Sequence, residues 1–342
     1  MKKLNILVAS LLSVFLFSSA VNAGEISVTG SVKASITTGG SGSTSGASET
    51  GGRALAISND IDFNASGDLD NGWAWKWQTQ LDAGAIDDTQ LTISTDYGTV
   101  GFYGTEGGLN FKHGGSQMAL GYGSQIGSSG GMVDPDDVAS YNNIQYHTPA
   151  GLLPLNTSFK AAMTMGGSAT SEPGDSPTGT GGAARNGTSY SVELQPLAGL
   201  KAGASYFTID QAVSDNQKGQ EEENGAYYAS YKVGQFGLGY SKAYKAPALA
   251  STPATSINFY ETTSYSVGLA VNDNLSVSYG YEKSHANKVT DAAENDLKID
   301  TIQAAYTMGG MTATLGIKDI ENADYSANKD QSEAHFVLSM AF

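Results

Sequence analysis

The side chains best suited to chemistry in this chain are carboxylates. Asp134-Pro135-Asp136-Asp137 is a compact acidic group in a stretch of small residues, and Glu106 stands at the head of the same stretch. Facing an aqueous path, such a group raises the local concentration of cations. Asp-Pro-Asp is also ordinary turn chemistry, and both readings stand at this level. Catalytic arrangements fare worse. The four histidines are His113, His147, His285 and His335, and none falls in a His-x-Ser or His-Glu-x-x-His setting. Gly121, Gly123 and Gly127 misplace the third glycine of a dinucleotide fingerprint, and no βαβ unit surrounds them. Asp68-Leu69-Asp70-Asn71-Gly72 lacks the distal Glu of a calcium loop and reads as a tight turn. With no Cys, there is no disulfide framework and no thiolate metal site. The expectation is a protein that is not an enzyme and that carries no cofactor and no metal.

The elements that position these groups begin behind a separate segment. Lys2 and Lys3 precede an apolar run from Leu4 to about Ala20, then Val21-Asn22-Ala23 offers small residues for cleavage. Residues 1–23 therefore read as a secretory signal peptide, with residues 24–342 as one domain. Losing two lysines takes the formal charge from −16 to −18. That balance argues against a nucleic-acid partner, whose phosphates need Lys and Arg. No apolar run in residues 24–342 reaches the roughly 20 residues of a membrane helix. The mean hydropathy of −0.22 is compatible with a barrel, whose lipid-facing residues are only every second one.

Apolar residues recur with period two. Ile26, Val28, Gly30, Val32, Ala34 and Ile36 share one face, and Phe336, Leu338, Met340 and Phe342 share another at the far end. Between these ends the pattern predicts strands near 53–67, 73–81, 89–95, 99–105, 142–148, 155–166, 187–195, 200–210, 225–233, 236–245, 260–271, 275–284, 296–308 and 311–319. The connections alternate between tight turns and long polar loops at 38–52, 82–88, 106–141, 167–186, 211–224, 246–259, 285–295 and 320–330. Short turns on one side and long loops on the other characterise outer-membrane barrels of Gram-negative bacteria. The fold class is thus all-β: a transmembrane antiparallel up-and-down β-barrel of about sixteen strands. Eight-stranded barrels fill themselves, whereas 16–18 strands leave an aqueous channel.

Two stretches carry a family resemblance. Ser332–Phe342 looks like the C-terminal strand of Gram-negative outer-membrane proteins, which ends in Phe behind alternating hydrophobics and is read by the assembly machinery; Met340 departs from the aromatic usual at that place. Asn143-Ile144-Gln145-Tyr146-His147-Thr148-Pro149, followed by Gly151, is similar to a strand and turn of trimeric general porins. The resemblance implies a sixteen-stranded homotrimer in contact with membrane lipids and lipopolysaccharide, passing small hydrophilic solutes and ions. It also implies that the long third loop folds into the lumen and narrows it. Glu106, Asp134, Asp136 and Asp137 would then be the acidic side of the constriction. A basic wall is implied opposite, from Lys33, Arg53, Lys76 and Lys160, although Arg is otherwise nearly absent, unlike the Arg-rich ladder of the best-known members. Trp73, Trp75 and Trp77 stand on one side of an early strand, where the family places its trimer contact. Two other readings stay open: a substrate-specific channel, and a structural or adhesive barrel with no open pore.

Overall fold

The computed structural model describes residues 24–41, 50–82, 85–111, 130–164, 186–210, 220–248, 257–289 and 294–342. The expected signal peptide, residues 1–23, lies outside them. The described residues form sixteen antiparallel strands: β1 (Glu25–Ser41), β2 (Thr50–Asp68), β3 (Ala74–Asp82), β4 (Ala85–Thr95), β5 (Gly98–Gly104), β6 (Asn143–His147), β7 (Ser158–Thr164) and β8 (Gly187–Leu197), then β9 (Leu200–Ile209), β10 (Glu222–Val233), β11 (Phe236–Ala246), β12 (Ile257–Ala270), β13 (Leu275–Lys288), β14 (Leu297–Met308), β15 (Met311–Glu321) and β16 (Gln331–Ala341). Each strand pairs with its sequence neighbours, and β1 pairs with β16, so the sheet closes. Closure leaves no free edge strand among the described residues, and unpaired edge groups are what a hydrocarbon environment penalises.

Register fixes the two faces. Val32 lies opposite Met340, Ala34 opposite Leu338 and Ile36 opposite Phe336. The same face carries Ile302, Leu315 and Ile317, all more than half exposed. It is the outward, lipid-facing stripe. Tyr97, Tyr231, Phe236 and Tyr306 are exposed near the tight turns, where an interface girdle belongs. The inner face is polar, with Asp60, Asp62, Asn64, Lys76, Gln78, Gln80 and Gln90 aligned across β2, β3 and β4.

Two expectations are corrected. The stretch 82–88 is not a long loop: the ladder continues through Leu81 with Ile86 and Asp82 with Ala85, leaving two residues between β3 and β4. The strand expected from residue 155 begins at Ser158. Pro154 has no N–H for a ladder, and Leu155 and Asn156 take left-handed angles in a single 3-10 turn, Pro154–Asn156.

Candidate functional site: the third loop and the wall it faces

β5 and β6 are only seven and five residues long. The chain therefore leaves the wall well before the height reached by β1 and β2. Thr105 turns it with a left-handed φ of 53°. Residues 112–129 of this third loop lie outside the described residues, but both its ends run inside the barrel.

A polar neck ties the two ends together. Asp137 accepts N–H bonds from Leu109 at 2.9 Å and Asn110 at 2.6 Å. Asn110 donates to the Asp136 carbonyl at 2.7 Å. Burial pushes the Asp137 carboxyl up from its ordinary value, and the backbone N–H bonds only partly pull it back. Beneath the neck, inward residues of β6 donate to the loop: Asn143 to the carbonyls of Glu106 (2.9 Å) and Tyr141 (2.9 Å), and Gln145 to that of Gly107. An apolar cluster of Leu109, Val138, Ala162, Phe207 and Ile209 seats the neck on β7 and β9. Further along the wall, the Phe111 N–H reaches Ser205 Oγ at 2.8 Å and the Asp136 N–H reaches Asn224 Oδ1 at 3.0 Å.

The four acidic residues do different things. Asp134 is exposed. Asp136 pairs with Lys245 of β11 at 2.7 Å. Glu106 is half-buried. Asp137 does not present a carboxylate to the lumen: it is buried and its oxygens are taken by the backbone, because a loop crossing a barrel must satisfy its own N–H groups.

The basic set also divides. Lys33 lies opposite Ser58 and Ser339, Lys76 opposite Ser66 and Thr92, and Lys160 opposite His147 and Ser191, all inward by register. Arg53 is a correction. It lies opposite Thr38 and two residues from Leu55, which faces Ile36 on the outward stripe. The period of two that makes Asp60 and Asp62 inward puts residue 53 outside. What lies between Lys33 and Lys76 is acidic and amide-rich. Asp60 stands opposite Asp82 and accepts from Ser31 at 3.1 Å. Asp62 accepts from Gln78 at 3.3 Å and Gln80 at 3.1 Å, and Gln90 donates to Gln78 at 2.7 Å.

Trp75 and Trp77 face outward opposite Gly67 and Ala65. Trp73 precedes β3; it and Trp77 are exposed, while Trp75 is partly covered where it lies against Gly67. Phe336, Leu338, Met340 and Phe342 form the outward stripe at the closing seam.

Anchors missed in the sequence are Asn110, Asn143, Gln145, Ser205, Asn224 and Lys245. The alternation of Asn143, Gln145 and His147 with outward Ile144 and Tyr146 could have flagged the β6 pair. For Asn224 and Lys245 no local signal exists, since their partners lie far away in the chain.

The arrangement is a membrane barrel with a polar interior crossed by an anchored loop. Solved structures share it. Salmonella typhi OmpF in complex with daunomycin matches with a TM-score of 0.60 at 14% identity, over 94% of this chain and 98% of that one. The outer membrane channel DcaP of Acinetobacter baumannii matches with a TM-score of 0.63 at 14% identity, over 95% and 99%. An anion-selective porin from Comamonas acidovorans matches with a TM-score of 0.60 at 11% identity, over 93% and 100%. At such identities these matches establish the fold. No curated protein sequence matches the chain. A family model described as Gram-negative porin matches residues 8–324. With barrel, inward loop and family model in agreement, this chain belongs to the Gram-negative porins and is an outer-membrane channel.

Proposed function

We propose that this channel is a non-specific diffusion pore for small hydrophilic solutes and ions, with a mild preference for cations, working as a homotrimer. The observation that carries the cation preference is the inner wall of β2 and β3. Asp60, Asp62 and Asp82 stand there, between Lys33 and Lys76, where the resemblance had implied a basic surface. Exposed Asp134 adds to the same field from the loop. Carboxylates on both sides of a narrow aqueous path concentrate cations and repel anions. The specific-channel reading receives less support. Tyr103 and Phe207 point inward but are buried, Phe207 in the packing under the loop, and Tyr227 lies on the outward face opposite Lys242. No aromatic track lines the described lumen.

The outward stripe Phe336, Leu338, Met340 and Phe342 serves as the assembly signal, and exposed Trp73 and Trp77 as part of the trimer contact. Outward ion pairs such as Lys242 with Glu261 (2.9 Å) and Lys298 with Glu321 (2.8 Å) lie towards the long-loop end. They suit the charged headgroups of lipopolysaccharide.

Planar-bilayer recording on the purified protein tests the reading. Stable steps without block by any one solute, and a reversal potential of cation-preferring sign in a salt gradient, are expected. Changing Asp60 and Asp62 together to Asn should move that potential towards zero. Saturable block by a single solute would make the channel specific instead, and absence of conductance would sink the pore.

A further inference from the structure

Positive and negative side chains of the inner face are not spread evenly along the barrel axis. Among the described residues, four inward lysines stand at the tight-turn end. Lys76 and Lys160 are the third residues of β3 and β7, Lys201 is the second of β9, and Lys232 is the last but one of β10. Parity puts Lys201 on the face of Ser205 and Lys232 on the face of Asn224, and both of those residues hold the third loop from inside. The tight turns are the periplasmic side of an outer-membrane barrel, so these lysines line its periplasmic mouth. The ladder sets no carboxylate opposite Lys76, Lys160 or Lys232. Their partners are Ser66 and Thr92, His147 and Ser191, and Gly237. Lys201 lies 3.8 Å from Glu193, and both side chains stay well exposed. Glu25 and Asp68 also face inward at this end, but at the feet of β1 and β2, across the barrel from β7, β9 and β10. Asp70, Asp96 and Asp273 are exposed in the turns themselves, beyond the strands.

Higher up the wall the sign changes. Asp62 and Asp60 lie six and eight residues from the foot of β2 at Asp68. That is about 20–26 Å along a strand. Asp82 ends β3 directly opposite Asp60. Two lysines at this height are matched: Lys245 pairs with Asp136 at 2.7 Å, and Lys318 stands opposite Glu333. Lys33, opposite Ser58 and Ser339, offsets one of the three aspartates.

We propose that this step in fixed charge makes the channel rectify, with a higher conductance when the external side is positive than when the periplasmic side is. Lys160, Lys201 and Lys232 below the step and Asp60, Asp62 and Asp82 above it set the ratio. The acidic zone holds mainly cations, and the basic mouth mainly anions. External-positive polarity drives cations down from the acidic zone and anions up from the mouth, so both accumulate at the step and the current rises. The opposite polarity draws both away and depletes the step. The two zones act separately because their distance along the wall exceeds the screening length, about 10 Å at 0.1 M salt. A uniformly acidic lumen would prefer cations without rectifying. The step adds a direction to the channel reading above, on which it rests.

Single channels in planar bilayers give the test, and the absence of cysteine makes their orientation readable. Gln235→Cys, exposed in the β10–β11 turn, carries a biotin label. Streptavidin then alters the current noise only from the chamber that the tight turns face. At about 0.1 M KCl the external-positive conductance should exceed the periplasm-positive one, and at about 1 M, where the screening length is about 3 Å, their ratio should fall to one. Lys160→Gln/Lys201→Gln/Lys232→Gln and Asp60→Asn/Asp62→Asn should both bring the low-salt ratio towards one. They should move the reversal potential in opposite directions, the lysine variant to stronger cation preference and the aspartate variant to weaker. Should the triple variant fail to assemble, Lys232→Gln alone decides, with a smaller move of the same kind. A wild-type ratio of one at low salt, the opposite polarity, a ratio indifferent to salt, or an unchanged ratio in the lysine variant would each overturn the step. A wild type that rectifies as expected without preferring cations would sink the selectivity reading and leave the step standing. One that prefers cations without rectifying overturns the step alone.

Discussion

Gly30 and Phe342 exchange both of their backbone hydrogen bonds: Gly30 N–H to the Phe342 oxygen at 2.9 Å, and Phe342 N–H to the Gly30 carbonyl at 3.0 Å. The last residue of the chain thereby extends the seam between first and last strands. Its ring also lies over the glycine. A Cβ at position 30 would meet Phe342 Cζ at 2.7 Å and the Asp60 carbonyl at 2.6 Å. A small residue on an otherwise apolar outward stripe is thus explained by the aromatic terminus that covers it.

Gly30→Val should consequently weaken closure by about 1–3 kcal/mol, the usual cost of forcing bulk into a filled space. The urea concentration at which the barrel loses its heat-modifiable gel mobility would fall. Phe342→Ala should lower the yield of assembled barrel in the outer membrane. Equal yield and equal urea resistance in both variants would contradict the seam as described.

The ion pair between Lys245 and Asp136 makes opposite predictions for its two members. Lys245→Met leaves the Asp136 carboxylate without its counter-charge and should increase cation preference. Asp136→Asn leaves the lysine and should decrease it. Reversal potentials measured in the same salt gradient give both signs, and movement in one common direction would remove the pair from the conduction path. The separation should shrink at high ionic strength, since the screening length falls to about 3 Å at 1 M salt.

Arg53 and Lys76 separate the outward face from the inward one. Lys76→Gln should raise cation preference, since it removes a cation from the same inward face that carries Asp60 and Asp62. Arg53→Leu should leave the reversal potential unchanged, because the side chain stands on the outward face. A shift in the arginine variant comparable to the lysine variant would place residue 53 in the lumen.

Asp137→Asn keeps the size of the side chain but replaces one acceptor oxygen by an amide donor, so one buried N–H of Leu109 or Asn110 loses its partner. A buried donor left unsatisfied costs about 1–3 kcal/mol. Amide hydrogen exchange at residues 109 and 110 should quicken, while the outer strands keep their protection. Unchanged exchange at the neck would show that the carboxylate is dispensable there.

Trp73→Ser/Trp77→Ser tests assembly apart from conduction. The exposed indoles are expected to contribute to a contact between copies, so the trimer fraction on native gels should drop while the monomeric barrel stays folded. Trp75→Ser should instead disturb the barrel's own packing, because Trp75 lies against Gly67.

Much of the barrel is legible in the sequence. Period two along β1, β13, β14 and β16 assigns each side chain to lipid or lumen, and once the faces are known, Asp60, Asp62, Lys76 and Lys318 can only point inward. Arg53 has the charge of a lumen residue but the parity of Leu55 and Ile57, and parity decides its face. The stretch 82–88 misled for a different reason: its Gly, Ala and Asp read as loop, but the ladder from β2 to β5 carries β3 and β4 almost to their junction.

The acidic loop shows where such reading stops. Local sequence made Asp134, Asp136 and Asp137 equivalent, and the fold made them exposed, ion-paired and buried respectively. The sequence by itself determined alternation, strand number, the closing aromatic and the sign of the charge, because these depend on residues next to or two apart from one another. Only the tertiary structure decided which carboxylates remain for ions and why Gly30 is glycine. Those outcomes depend on groups up to about 300 positions apart, and closing the barrel is what brings them within a hydrogen bond of each other.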